Sequence, residues 1–151
     1  MYSKIKIAGH PLHVMLVAYP IAFYTATFVC FLVYGSNHDS FWFKVAYVAN
    51  AAGVVMAVVA AVPGFIDWAI GIPNKTKAKT TGLIHLLFNV TALLLFAINL
   101  YMQTGKWNEA QPDSGPAIWL TLLGVIVTVA AGFYGWTLVQ RHHVGVGPLT
   151  E

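Results

Sequence analysis

The sequence predicts an all-α membrane protein, an up-down bundle of four transmembrane helices with both termini on the cytoplasmic side. Three observations carry that expectation. The 151 residues are 58% hydrophobic and only 9% charged, with a mean hydropathy of +0.70. Four runs, Pro11–Tyr34, Phe41–Ile70, Thr80–Tyr101 and Pro116–Gln140, are long enough to cross a hydrocarbon core of about 30 Å. The basic residues, finally, gather on one side of the implied topology.

Within those runs charge is nearly absent. No Asp, Glu, Lys or Arg stands between Lys6 and Asp39, between Lys44 and Asp67, between Lys79 and Lys106, or between Asp113 and Arg141. A surface helix of a soluble protein keeps one polar face, and these have none. Four spans joined by short loops leave no room for a soluble module, so residues 1–151 form a single transmembrane domain.

Taken in order, the elements are punctuated clearly. Met1–Lys6 resembles a signal n-region, but the apolar stretch behind it is too long and lacks a small-residue cleavage site, which predicts a retained first helix. In Gly9-His10-Pro11-Leu12-His13, Pro11 suits a first helical position, placing His10 at the cap and His13 in the first turn, on neighbouring faces. Cys30, the only cysteine, lies inside this helix, so an intrachain disulfide is excluded. Gly35–Ser40 is a short turn that leaves His38 in solvent. In the second helix Pro63 and Gly64 weaken the backbone ladder ahead of Asp67, and Ile72-Pro73-Asn74 ends the span. The third helix carries His85 about one turn in, with Asn89 a turn deeper on the same stripe. Trp107–Gly115 is the one longer loop, and Pro116 opens the fourth helix. Arg141-His142-His143 closes it, where cations complement the terminal carbonyls, and Val144-Gly145-Val146-Gly147 turns the chain away.

An even number of spans puts both termini on the side of the 71–79 loop. That side holds Lys4, Lys6, Lys75, Lys77, Lys79 and Arg141, leaving Lys44 and Lys106 opposite, which marks it as cytoplasmic. Asp39, Glu109 and Asp113 lie on the far side, with an aromatic belt of Tyr34, Trp42, Tyr47, Tyr101, Trp107 and Trp119. The net charge of +3 thus reflects topology, and nucleic acid is not an expected partner.

The same folding brings five of six histidines and Asp67 to one face. Ionisable groups are costly in hydrocarbon, so their convergence marks a functional site. Asp67 needs a partner such as a histidine N–H, and Asn89 needs hydrogen-bond partners that place it toward the bundle interior. There is also an internal echo: Gly64-Phe65-Ile66-Asp67-Trp68 resembles Gly132-Phe133-Tyr134-Gly135-Trp136, each about 50 residues beyond a histidine, His13 and His85. It suggests two related helical hairpins.

The motifs Gly9-His10-Pro11-Leu12-His13, Gly64-x-x-Asp67, His85-x-x-x-Asn89 and Leu138-Val139-x-Arg141-His142-His143-Val144-Gly145-Val146 resemble the bacterial four-helix membrane proteins of the domain-of-unknown-function 2231 family. The likeness spans nearly the whole chain. It departs from the family's pattern at Val14, where a proline often follows the second histidine, and at His142-His143, where one histidine is usual. The resemblance implies a bacterial inner-membrane protein and, from the company such modules keep with Rieske-type or cytochrome-type domains, redox traffic.

The chemistry most at home in this pattern is b-type haem binding with electron transfer near the cytoplasmic face, with quinone or a redox protein as partner. Helices one and three of an up-down bundle are diagonal, and a bis-imidazole haem needs ligands from facing helices at matched depth. His10 or His13 with His85 meets that need. The candidate metal ligands are therefore His10, His13, His85 and His143, and the candidate cofactor-binding residues are Asn89, Asp67 and Arg141. Lys75, Lys77, Lys79 and Arg141 stand where propionates would exit or lipid headgroups would bind. Small residues Ala57, Ala60, Ala61 and Gly64, and Gly124, Thr128, Gly132 and Gly135, would admit a macrocycle or a neighbouring helix. A second reading gives His10, His13, His85 and Asp67 to a bare divalent transition metal, Zn, Fe or Cu, in a transporter or enzyme. A third makes the chain a structural subunit whose polar cluster locks helix packing. Beyond the lipid bilayer, a homodimer is compatible with all three, and an electron carrier is favoured over a catalyst.

Overall fold

The computed structural model describes residues 3–146, so Met1 of the basic opening and Gly147 of the closing turn lie outside the described residues. A two-residue strand, Lys6–Ile7, pairs antiparallel with His10–Pro11. Ala8 and Gly9 between them both have positive φ, +49° and +81°, the backbone of a type I′ hairpin turn. The helix begins one residue later than Pro11: α1 spans Leu12–Leu16 and α2 spans Ala18–Asn37.

The break at Val17 follows from Pro20. Proline has no N–H to give the carbonyl of Leu16, four residues back, and its ring crowds that carbonyl. α3 runs Ser40–Ile66 with Pro63 inside it and passes into a π-turn, Asp67–Gly71. α4 covers Lys77–Gln103, a 3₁₀ turn covers Lys106–Asn108, and α5 covers Gly115–Gln140. The spans Leu12–Asn37, Ser40–Gly71, Lys77–Gln103 and Gly115–Gln140 are each long and apolar enough to cross a membrane.

Helix ends are tied by local chemistry. His38 adopts the left-handed conformation that stops α2, and the Asp39 carboxylate accepts from the N–H of Phe41 to start α3. Thr76 Oγ1 accepts from the N–H of Lys79 at the head of α4. The Lys79 ammonium donates to the carbonyls of Trp68 (2.5 Å) and Ala69 (2.9 Å), neutralising the negative end of the second span.

Packing defines two hairpins. α2 lies mainly on α3 and α4 mainly on α5, while α2–α5 and α3–α4 contacts close the ring. The first and third spans are thus diagonal, as the up-down topology requires. The outer surface is hydrocarbon-compatible: Val129 is 69% exposed and Ile70 67%, which in water would be a large apolar liability and in lipid costs nothing.

The core is layered, and the layers repeat between hairpins. Tyr24 of α2 and Phe96 of α4 stack across the axis, ring centroids 3.7 Å apart and planes within 2°. Each lies over a glycine of its own hairpin, Tyr24 over Gly53 and Phe96 over Gly124; a Cβ added at those glycines would come within 2.8 Å and 2.5 Å of the ring. One helical turn farther from the histidine-bearing end come Thr27, Asn50, Asn99 and Thr121, all fully buried.

Candidate functional site

At the histidine-bearing end the same two-hairpin pattern sets the site. His13, from α1, donates Nδ1–H to the carbonyl of Ala60 on α3 at 2.8 Å. His85, from α4, donates Nδ1–H to the carbonyl of Ala131 on α5, also at 2.8 Å. A carbonyl can only accept, so Nδ1 carries a proton in both rings, and Nε2 is the nitrogen left for a ligand. Each ring lies over a glycine one turn from the accepting alanine. A Cβ at Gly64 would stand 2.6 Å from the His13 ring, and one at Gly135 would stand 3.0 Å from the His85 ring.

The two rings are neighbours in an edge-to-face arrangement, centroids 6.3 Å apart and planes at 82°. His13 stands to Tyr24 in spacing as His85 stands to Phe96, and Gly53 to Gly64 as Gly124 to Gly135. The hairpins are therefore related by a pseudo-two-fold axis along the bundle, with the histidine pair and the Tyr24–Phe96 stack both astride it. The structural equivalence pairs Gly64 with Gly135, three residues away from the Gly64–Gly132 register that the sequence echo suggests. The histidine spacing fixes the register, and the aromatic residues beside the glycines do not.

A cavity of about 350 Å³ takes in the histidine layer, reaching Tyr24 on one side and Ser3, Asp67 and Val144 on the other, within the ordinary range for small-molecule sites. Its lining is overwhelmingly apolar. From α3 and α5 the residues facing it are mostly small: Ala57, Ala60 and Gly64 on one side, Thr128, Ala131 and Gly135 on the other. The polar groups reaching it are few, chiefly His13, His85, Asn89, Asp67, Ser3 and Thr128. Asn89 is where the two halves differ most in chemistry, since Val17 holds the matching position. Its Nδ2 donates to the carbonyl of His85 at 2.8 Å and lies 3.2 Å from Nε2 of that ring.

The remaining sequence-predicted residues are placed elsewhere. His10 sits in the N-terminal hairpin, exposed, its Nδ1 on the carbonyl of Ala8 at 2.9 Å. The helix starts one residue later than expected, so Pro11 holds the cap position that the sequence predicts for His10, and His10 belongs to the hairpin instead. Asp67 lines the cavity but takes its hydrogen bonds from the N-terminal segment: Ser3 Oγ donates to Oδ2 at 2.6 Å, and the N–H groups of Lys4 and Ile5 donate to Oδ1 at 2.6 and 3.4 Å. The expected histidine partner is replaced by the Ser3 hydroxyl and two main-chain N–H groups of the N-terminal segment, and main-chain donors leave no residue-type mark in a sequence. His143 is exposed with positive φ, beyond the end of α5, and Nε2 of His142 lies 3.3 Å from Thr81 Oγ1. Arg141 lines a separate cationic pocket with Lys77.

Among the described residues, no group of three or more His, Cys, Asp or Glu side chains is placed to share a metal ion. The arrangement thus offers two neighbouring imidazoles in an apolar cavity. Residues the sequence reading passed over are the buried amides: the side-chain nitrogen and oxygen of Asn50, Asn99 and Gln103 make no hydrogen bond among the described residues. Their signal was legible, since an Asn or Gln inside an apolar span stands out on polarity alone.

No curated protein and no solved structure matches the chain. The family described as predicted membrane protein (DUF2231) matches residues 9–148. That stretch takes in all four spans, both ring-bearing histidines and both of the glycines beneath them, and the chain belongs to this family of membrane proteins.

Proposed function

We propose that the cavity binds one b-type haem, which His13 and His85 would hold, and that the protein carries electrons near the cytoplasmic face of a bacterial inner membrane. The observation that carries the reading is the neighbouring histidine pair. The two ring centroids lie 6.3 Å apart, close enough that both imidazoles would reach one iron between them. The donor set also fits, because a b-type haem would ask the protein for two ligands, whereas a bare Zn, Fe or Cu site needs three or more.

When bound, the haem supplies one-electron redox chemistry. The chain's own residues do the rest. Ala60 and Ala131 fix the tautomer and orientation of the two imidazoles through their carbonyls, and each such bond raises the basicity of the free nitrogen. Gly64 and Gly135 allow each ring to lie against its helix backbone. The small side chains of α3 and α5 leave width for a flat macrocycle between the two ring-bearing spans. Asn89, whose Nδ2 lies 3.2 Å from His85 Nε2, helps to orient that ring.

Six of eight cations beside the termini and the 71–79 loop support cytoplasmic termini. That orientation puts the histidine layer on the cytoplasmic side, within reach of a soluble redox partner or quinone at that surface.

The test is haem titration of purified protein. His13→Ala and His85→Ala are each expected to lose stoichiometric haem, with His10→Ala and His38→Ala retaining it. Full haem content in both His13→Ala and His85→Ala would end the proposal.

A further inference from the structure

A second pocket lies outside the cavity, between the head of α4 and the tail of α5. It is lined by Lys77, Thr80, Thr81, Thr137, Arg141 and His142 and encloses about 420 Å³. No residue of this lining also lines the histidine cavity, so the pocket is a site in its own right.

Its chemistry is one-sided. Two cations, one imidazole and three hydroxyls face it, with no carboxylate. Asp67, the one acid at this end among the described residues, is occupied by Ser3, Lys4 and Ile5. Thr137 Oγ1 donates to the carbonyl of Phe133 at 2.9 Å, and Thr81 is paired with His142, which organises the walls and leaves Lys77 and Arg141 as the strong donors. The Arg141 guanidinium presents a planar fork suited to two phosphate oxygens, and the Lys77 ammonium a point charge beside it.

Position selects the source of the anion. Lys77 is the first residue of α4 and Arg141 follows the last residue of α5, so the pocket lies at the membrane–water boundary. Directly below it, toward the bilayer centre, the two helices present lipid-facing apolar side chains: Leu83 and Leu87, one and two turns beyond Thr80, and Phe133, one turn before Thr137. All three are exposed. A polar pocket continuous with an apolar stripe matches a phosphate headgroup joined to acyl chains, and a free phosphate would use only the upper part.

We propose that the α4–α5 pocket is a binding site for the phosphate of an anionic phospholipid, with Lys77 and Arg141 as its principal ligands. The proposal is independent of the haem reading, since neither cation touches the cavity.

The test uses the full-length protein in neutral detergent. Affinity is measured by native mass spectrometry for dioleoylphosphatidylglycerol and for dioleoylphosphatidylcholine, with inorganic phosphate as competitor. Phosphatidylglycerol is expected to bind more tightly than phosphatidylcholine. The double variant Lys77→Gln/Arg141→Gln is expected to lose about thirtyfold in affinity for phosphatidylglycerol, about fivefold per cation. Lys77→Arg/Arg141→Lys keeps both charges and is expected to stay within about threefold of wild type, which separates lost ligands from lost fold. Lys44→Gln, on the opposite face, is expected to change nothing. Equal affinity for the two lipids, an unchanged double Gln variant that is folded by circular dichroism, or displacement of the lipid by millimolar inorganic phosphate would each overturn the assignment.

Discussion

Two glycines decide whether the histidines can be where they are. At Gly64 and Gly135 a Cβ would meet an imidazole at 2.6 and 3.0 Å, distances at which the ring must move. His13 cannot move and keep its 2.8 Å bond to Ala60, because that carbonyl is fixed in the α3 ladder. Gly64→Ala is therefore expected to destabilise the protein by about 1–3 kcal/mol through overpacking and to weaken haem binding at least tenfold; Gly135→Ala, with more clearance, should do the same more mildly. Thermal unfolding and haem titration of the two variants check the ranking, and an undisturbed Gly64→Ala protein would show that the ring has another place to go. The sequence reading had both glycines as close-packing residues, which is right in kind. What it could not supply was the partner, because glycine advertises space and never says what fills it.

Among the elements, the four spans were legible as uninterrupted apolar runs, and their observed limits differ only where local chemistry extends or breaks a helix. α4 begins at Lys77, not Thr80, because Thr76 caps it; lysines at a helix head read as loop when charge is the criterion. The break at Val17 was missed although its cause, Pro20, was in plain view inside the first span. That break separates α1, which carries His13, from α2. Pro20→Ala restores the N–H that Leu16 lacks and is expected to join the two helices, raising helix content slightly while lowering haem affinity, read by circular dichroism and by titration on one sample. The N-terminal strap was not legible at all. Its three hydrogen bonds to Asp67 predict that Asp67→Ala frees residues 3–7 and accelerates their proteolysis, with a stability loss of about 1.5–3 kcal/mol, while haem content is unchanged. Loss of haem in that variant would instead give the carboxylate a direct part in the site.

At the scale of the whole molecule, the pseudo-two-fold relation between hairpins explains why chemistry concentrates on the bundle axis. Two equivalent imidazoles and two equivalent aromatic rings can meet across an axis only if their helices are diagonal, which the up-down order guarantees. Asymmetry enters at Asn89, which has Val17 as its counterpart, so Asn89→Val is expected to make the two ligand environments more alike, retain haem and shift its reduction potential. The distribution of cations makes a separate prediction, that a cysteine placed at Lys77 is labelled from the cytoplasmic side and shielded from periplasmic reagents; periplasmic labelling would invert the bundle and carry the histidine layer with it. That His13 and His85 are neighbours was readable from matched depth on diagonal helices, whereas the placing of His10 in the N-terminal hairpin and of Asp67 against Ser3, Lys4 and Ile5 rests on a one-residue shift and on main-chain donors that leave no mark in the sequence. The central claim, that His13 and His85 together hold one haem iron, is tested most directly by the optical spectrum and pyridine-haemochrome stoichiometry of protein purified from haem-supplied cells. The account predicts one haem per chain, six-coordinate and low-spin in both oxidation states; colourless protein, or a haem that remains unchanged when both histidines are replaced, would contradict it.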